Sequence, residues 1–340
     1  MLAVERRFGN GRPNREEENV RNFDKIILSA AFGLVLLGSI GPANAKMDDD
    51  KIDVTVIIHC CLGNVFWEPL IKGAKEAGEK FGVNVDIQNA EGDPAKQTNL
   101  IEQAIANKQN GIVAMIAQPE AMTVPLKKAR AMGIHVIAAN VDHPDGAASG
   151  AREAYVGQDF IAAGKLVGER VIKQYNLKGP GKCLLPAEAP EQHHLASRGQ
   201  GVILALKEVG LEGEILKTGD NVEEGLTTIS QYLLANPDTK CVIGLGNTPT
   251  SVIPQAAKEA GLDNIPNGGF DVNPRIMENV KAGLTVGTVD QQQFWQGFLP
   301  VMFLAYEIRY GLAPASFDTS GGLVDKDNAA MAAKYAGSYR

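Results

Sequence analysis

Residues 53–87 read DVTVIIHCCLGNVFWEPLIKGAKEAGEKFGVNVDI. The β-branched run Val54–His59 has the length and composition of a buried strand, and Gly82 stands where a following helix would stop in the left-handed conformation. A second strand candidate, Asn84–Ile87, follows at once. The same alternation of short apolar runs with longer amphipathic ones continues down the chain, which is the mark of repeated βαβ units and parallel sheets. Further strand candidates are Ile112–Ile116, His135–Ala138, Tyr155–Gly157, Cys183–Leu185, Glu214–Lys217, Cys241–Gly244, Asn267–Phe270 and Thr285–Val289. Helices fall between them, with Gly133, Gly210, Gly261, Gly283 and Gly311 at the expected stops, and Asp93-Pro94 reads as an N-cap followed by a first-turn proline.

Ten strands exceed one doubly wound sheet of five or six, and the run divides near Tyr155–Gly157, which feeds a long helix, Phe160–Gln174. The expected fold is α/β, with two Rossmann-like lobes of parallel sheet joined by short hinge crossovers. A last helix, Phe294–Tyr310, follows the polar run Asp290-Gln291-Gln292-Gln293 and returns the chain to the first lobe. The lobes are therefore expected at 46–156 with 292–315 and at 157–291, leaving 316–340 as a C-terminal tail. At 340 residues and 44% hydrophobic content the chain can bury two ordinary cores. Its 37 glycines and 6% aromatic share suit tight turns and close backbone approaches better than a β-sandwich.

Residues 1–45 read as a targeting segment: Arg21 and Lys25 precede an apolar run, Ile26 to Ile40, and Ala43-Asn44-Ala45 supplies a small-residue cleavage site. The mature chain is expected to begin at Lys46, and the polar stretch before Val20 suggests a true start at Val20. No cysteine follows the cleavage site to take a lipid, so an exported, soluble, monomeric protein is expected. Without residues 1–45 the chain carries 27 Lys+Arg against 35 Asp+Glu and no long basic run, which argues against nucleic acid or an anionic membrane as partner. The cysteines fit no zinc spacing. Cys183 and Cys241 open strands of one lobe, which allows a bridge, though strand cysteines are more often small hydrophobes.

Ligands of open parallel sheets bind beyond the carboxyl ends of the strands, and the residues there are unusually polar. The first lobe offers His59, Cys60, Asn64, Gln118, Asn140 and Asp142; the second offers Glu188, Arg198, Asp220, Asn247, Asp271 and Asn273; the crossover offers Asp290 and Gln291. Turn chemistry alone enriches Asn and Asp in loops. It accounts less well for planar amides and carboxylates with aromatic rings alongside, at Phe66-Trp67 and Phe294-Trp295. Rings present a flat apolar face to a sugar, while amides, Asp and Arg pair with its hydroxyls. The chain carries no nucleophile elbow, phosphate-binding loop, zinc-protease helix or dinucleotide fingerprint. The adjacent His193-His194 pair lacks a third ligand at suitable spacing. No enzyme activity, cofactor or metal is expected.

The chain resembles the ribose/galactose-type periplasmic sugar-binding proteins that serve ABC transporters. The likeness spans about Asp53 to Leu312 and rests on the stretch from Asn64 to Ala74, on Gln118-Pro119, on Arg198-Gly199-Gln200-Gly201 and on Gly269-Phe270-Asp271. It implies the type I periplasmic binding fold and hinge closure over a sugar or polyol, with an ABC permease as partner. It further implies ligand contacts from Cys60, Asn64, Phe66, Trp67, Gln118 and Asn140 in one lobe. Arg198, Asp220, Asn247 and Asp271 would contribute from the other and Gln291 from the hinge, with Phe66 and Trp67 sandwiching the sugar ring. The chain departs from the ribose binders at Cys60, Gln118, Val141 and Asp220, where those proteins carry a small hydroxyl residue, Asn, Arg and an aromatic. That points away from ribose, and Asp142, Glu188 and His194 suit an amino- or deoxy-sugar or an open-chain polyol. A periplasmic sensor of a signalling molecule is the alternative on the same lobes.

Overall fold

The computed structural model describes residues 51–60, 63, 65–320 and 322–340. The expected signal peptide, its cleavage site and Asn64 lie outside these residues. Strand β1 (Ile52–Ile58) is buried on both faces save for the half-buried Asp53 and sits inside a six-stranded sheet with β2 (Val83–Asn89), β3 (Gly111–Ala114), β4 (His135–Asn140) and β5 (Ala154–Gly157). Helices α1 (Glu68–Phe81), α2 (Pro94–Ala106) and α3 (Pro119–Ala131) connect them. A second sheet holds β6 (Lys182–Ala187), β7 (Glu212–Lys217), β8 (Cys241–Ile243), β9 (Asn267–Phe270) and β10 (Thr288–Val289), flanked by α4 (Phe160–Tyr175), α5 (His193–Glu208), α6 (Val222–Ala235), α7 (Asn247–Glu259) and α8 (Pro274–Lys281). Helix α9 (Gln293–Tyr310) packs back on α1 and β4.

Residues 316–340 join both sheets rather than trailing from one. Strand β11 (Phe317–Asp318) lies parallel to β5, and β12 (Leu323–Val324) lies antiparallel to β10. Helix α10 (Ala329–Tyr335) packs on α8. The strand orders are β11-β5-β4-β3-β1-β2 and β12-β10-β9-β8-β6-β7, so each sheet reverses direction between its first and third strands. Such a switch point opens a crevice beyond the carboxyl ends of the strands.

Local chemistry explains the punctuation. Asp93 caps α2 by accepting from the Ala95 and Lys96 amides at 2.8 and 3.3 Å, ahead of Pro94. The six glycines expected to end helices all have positive φ, among them Gly82 at 61° and Gly311 at 66°. The Cys183–Cys241 question is also decided: the two face each other in register on neighbouring parallel strands, Cα atoms 4.6 Å apart, and form a disulfide. Closing a loop of 58 residues contributes about 4 kcal/mol in the chain-entropy view.

Two helix pairs pack almost backbone to backbone. A Cβ on Gly73 of α1 would stand 2.2 Å from the Phe294 carbonyl oxygen, and one on Gly297 of α9 would stand 2.0 Å from that of Leu70. In the second lobe, Gly164 of α4 and Gly201 of α5 stand in the same relation to the carbonyls of Arg198 and Ile161, at 2.1 Å each. Gly201→Ala should therefore lower stability by about 1–3 kcal/mol through overpacking. Urea titration should show this as a lower midpoint with an unchanged slope.

Candidate ligand-binding cleft

The ends of β1, β4, β6, β8 and β9 converge on a cavity of about 610 Å³. From the first lobe it receives His59 and Cys60 after β1, Phe66 and Trp67 from the turn that heads α1, and Asn140 at the end of β4. The second lobe supplies Glu188 after β6, His194 and Arg198 from the first two turns of α5, Asp220 after β7, Asn247 at the start of α7 and Asp271 after β9. Gln291 enters from the crossover between β10 and α9.

Asn140 and Asp271 occupy equivalent places, each closing the fourth strand of its sheet and each in the left-handed region, at φ 62° and 75°. Asn and Asp tolerate that conformation better than other residues with side chains. Gln291 joins the two. Its Oε1 accepts from Asn140 Nδ2 at 3.2 Å, and its Nε2 donates to the Asp271 carboxylate. Gln296 of α9 secures the arrangement by accepting from Asn140 at 2.8 Å and donating to the Gln291 carbonyl at 2.9 Å.

Arg198 is buried with its guanidinium 4.4 Å over the Phe270 ring. It donates to the Leu245 carbonyl and to Gln158 Oε1, both at 3.0 Å, which leaves Nε without a partner. His59 Nδ1, Glu188 Oε2, His194 Nδ1 and Asn247 Nδ2 are likewise buried and unpartnered. Five such atoms around one cavity are what a hydroxyl-bearing ligand would satisfy, because each unmet buried group costs about 1–3 kcal/mol.

Burial sets the charge state. Desolvation pushes His59 down to about 4 and His194 well below its usual value, so both rings are neutral at neutral pH. It pushes Glu188 up to about 7, against a hydrogen bond from the Thr248 amide at 2.9 Å. Asp271 and Asp220 are raised by burial as well.

Several expectations need correction. Asp142 does not line this cavity: it forms a two-pronged ion pair with Arg152, at 2.8 and 2.5 Å, beside a separate concavity of about 620 Å³ behind the first crossover. That concavity shares none of the unpartnered polar atoms. Gln118 is exposed at the head of α3 and is also absent from the cleft. Phe66 and Trp67 do not form two parallel plates; their rings meet edge to face, 4.6 Å apart at 89°, and Trp67 is buried. Cys60 is in a disulfide and offers no thiol. Trp295 does not reach the cleft and is 41% exposed on α9. The candidates carried forward from the sequence omitted His59, Gln192, Leu195 and Thr248, which line the cavity, and Gln158, which orients Arg198. His59 and Gln158 do follow strands directly, and that position was the available signal.

Residues 55–311 match the periplasmic binding protein domain family. The chain belongs to that family. This periplasmic binding protein is 28% identical over 302 residues to the xylose/arabinose-binding protein of Sulfolobus acidocaldarius, covering 83% of this chain and 74% of that one. It is 25% identical over 276 residues to the ribose import binding protein of Bacillus subtilis, covering 78% and 87%. Among solved structures it resembles a carbohydrate transporter from Acidothermus cellulolyticus in complex with myo-inositol, with a TM-score of 0.76, 29% identity, and coverage of 85% of this chain and 99% of that one. The family is one of substrate-binding proteins and not of enzymes. Among the described residues no helix is long and apolar enough to cross a membrane.

The raised Glu188 fixes the sign of a pH effect. Native Glu188 keeps a proton to about 7 that the unfolded carboxyl loses near 4.5, so the stability it adds is present below 4.5 and is lost as pH rises to about 7. His59 and His194 act in the opposite sense, and a comparison of variant with wild type cancels them. Glu188→Gln should gain stability relative to wild type between about pH 5 and 8, by up to roughly 3 kcal/mol, in urea titrations at each pH.

Proposed function

We infer that the protein captures an uncharged sugar or cyclic polyol in this cleft, closes its lobes over it and presents it to the permease of an ABC importer in the periplasm. The observation that carries this reading is the set of five unpartnered donors and acceptors beside an aromatic corner. Its two histidines are held neutral, and the Arg198 charge lies among the carboxyls of Asp271 and Glu188. An anionic ligand would meet the carboxyls of Asp220 and Asp271 as well as Arg198, whereas hydroxyl groups both donate to such carboxyls and accept from the arginine. The relatives agree in class: one is a xylose/arabinose-binding protein, and the solved structures include complexes with myo-inositol and D-arabinose.

The moving bodies are residues 46–156 with 292–315 and residues 157–291, acting as a monomer. Closure requires a ligand to bind the closed form more tightly than the open one. Arg198, Asn247 and Asp271 supply that difference from the second lobe, while Asn140, Phe66 and Trp67 hold the ligand on the first. Gln291 senses both, since its amide touches a candidate contact in each.

A thermal-shift panel of pentoses, hexoses, inositols and amino acids on the purified chain tests the reading. A neutral polyol should raise the melting temperature, and ligand at one hundred times its dissociation constant adds about 2.7 kcal/mol. A response confined to amino acids would overturn it. With the responding ligand, Asp271→Ala should weaken binding at least about tenfold, roughly 1.4 kcal/mol, in calorimetric titration.

A further inference from the structure

At the end of the first sheet opposite the cleft, three metal-ligating side chains from separate elements meet. His135 opens β4, Glu153 immediately precedes β5, and Glu307 comes from the last turns of α9. Their donor atoms all lie within 4.8 Å of one another. His135 Nδ1 is 3.3 Å from Glu307 Oε1 and 3.5 Å from Glu153 Oε2. The three side chains are close enough to share ion pairs and hydrogen-bonding protons with one another, yet His135 Nδ1, Glu153 Oε2 and Glu307 Oε2 are buried atoms that no well-aligned hydrogen bond satisfies. Of the three side chains, only Glu153 has another cation at hand, Arg130 Nε at 3.4 Å from its other oxygen.

The geometry points to a divalent transition-metal site, of the kind that takes Zn²⁺, formed by His135, Glu153 and Glu307. Donors about 2.0–2.2 Å from a tetrahedral ion stand roughly 3.3–3.5 Å from each other, and the imidazole nitrogen lies at that distance from each carboxylate oxygen, the whole set being within 4.8 Å. One imidazole and two carboxylates are a zinc-type ligand set, and two negative charges balance a divalent cation. His135 also lines a groove with Gln109, Asn110 and Ile308. Gln109 Oε1, another buried acceptor without a partner, belongs to that groove. Such an ion would tie α9 to the amino ends of β4 and β5, where the returning helix joins the first sheet. It departs from the expectation of no metal because the three ligands are far apart in sequence and form no local motif.

The site is separate from the ligand cleft. His135 and Asn140 are opposite ends of one six-residue strand, about 17 Å apart. The test uses the untagged, chelator-treated chain with Zn²⁺ by calorimetry and with Co²⁺ as an optical probe. One equivalent should bind, and Co²⁺ should show the intense visible bands of a low-coordinate site. Glu307→Gln and His135→Asn should each weaken binding by about tenfold or more. His193→Gln should bind metal as wild type does, and polyol affinity should be the same with and without Zn²⁺. Absence of binding to the wild-type chain overturns the proposal, and that result needs no variant to fold. Binding that survives Glu307→Gln and His135→Asn, or is lost in His193→Gln, overturns it equally.

Discussion

The amide of Gln291 is the interaction on which the cleft depends. A primary amide has one accepting and one donating end in a fixed plane, and here the accepting end holds Asn140 of the first lobe while the donating end holds Asp271 of the second. Both partners are buried at left-handed strand ends, so the backbone aims them at one point and leaves little rotamer freedom to lose. The other crossover repeats the device. Gln158 accepts from Arg198 and donates to the Asp290 carbonyl at 3.4 Å, so each hinge segment carries a glutamine wired to the lobe beyond it.

Charge is managed with equal economy around this bridge. Asp290, fully buried in the crossover, is met by Arg340 at 2.6 Å, so the last residue of the chain neutralises a carboxylate in the hinge. Arg198 stands among Asp271, Glu188 and the Phe270 ring instead of pairing with a single carboxylate. Burying an isolated charge is costly, and sharing it over an aromatic face, two carbonyl-type acceptors and nearby carboxyls offsets much of that cost. What remains is a cavity with many polar directions, which suits hydroxyl groups that both donate and accept.

The segments that resemble sugar binders combine two roles. Asn64 to Ala74 brings Phe66 and Trp67 to the cleft, yet its Gly73 serves the contact between α1 and α9. The segment Arg198 to Gly201 likewise supplies a buried cation at one end and a helix-packing glycine at the other. The cavity-lining residues on α5 are thus held by the same close approach to α4 that only glycine permits. The disulfide between β6 and β8 stiffens the sheet whose ends carry Glu188 and Asn247.

The one-dimensional pattern was enough for the α/β class, the two parallel sheets and the places of the ten main strands, because strand and helix periodicity and glycine stops are local properties. It also reached Asn140, Glu188, His194, Arg198, Asp220, Asn247, Asp271 and Gln291, since residues just past parallel strands converge by topology. It misplaced Asp142 and Gln118, which follow strands as well, because Arg152 claims one and the first turn of α3 leaves the other in solvent. The strands of 316–340 were invisible at two residues each, too short for any period. Whether Phe66 and Trp67 stack or meet at right angles, which polar atoms are left without partners, and that His135, Glu153 and Glu307 share one spot depend on side chains from distant segments. Those relations exist only after packing and desolvation act together, and for that physical reason the tertiary structure alone decided them.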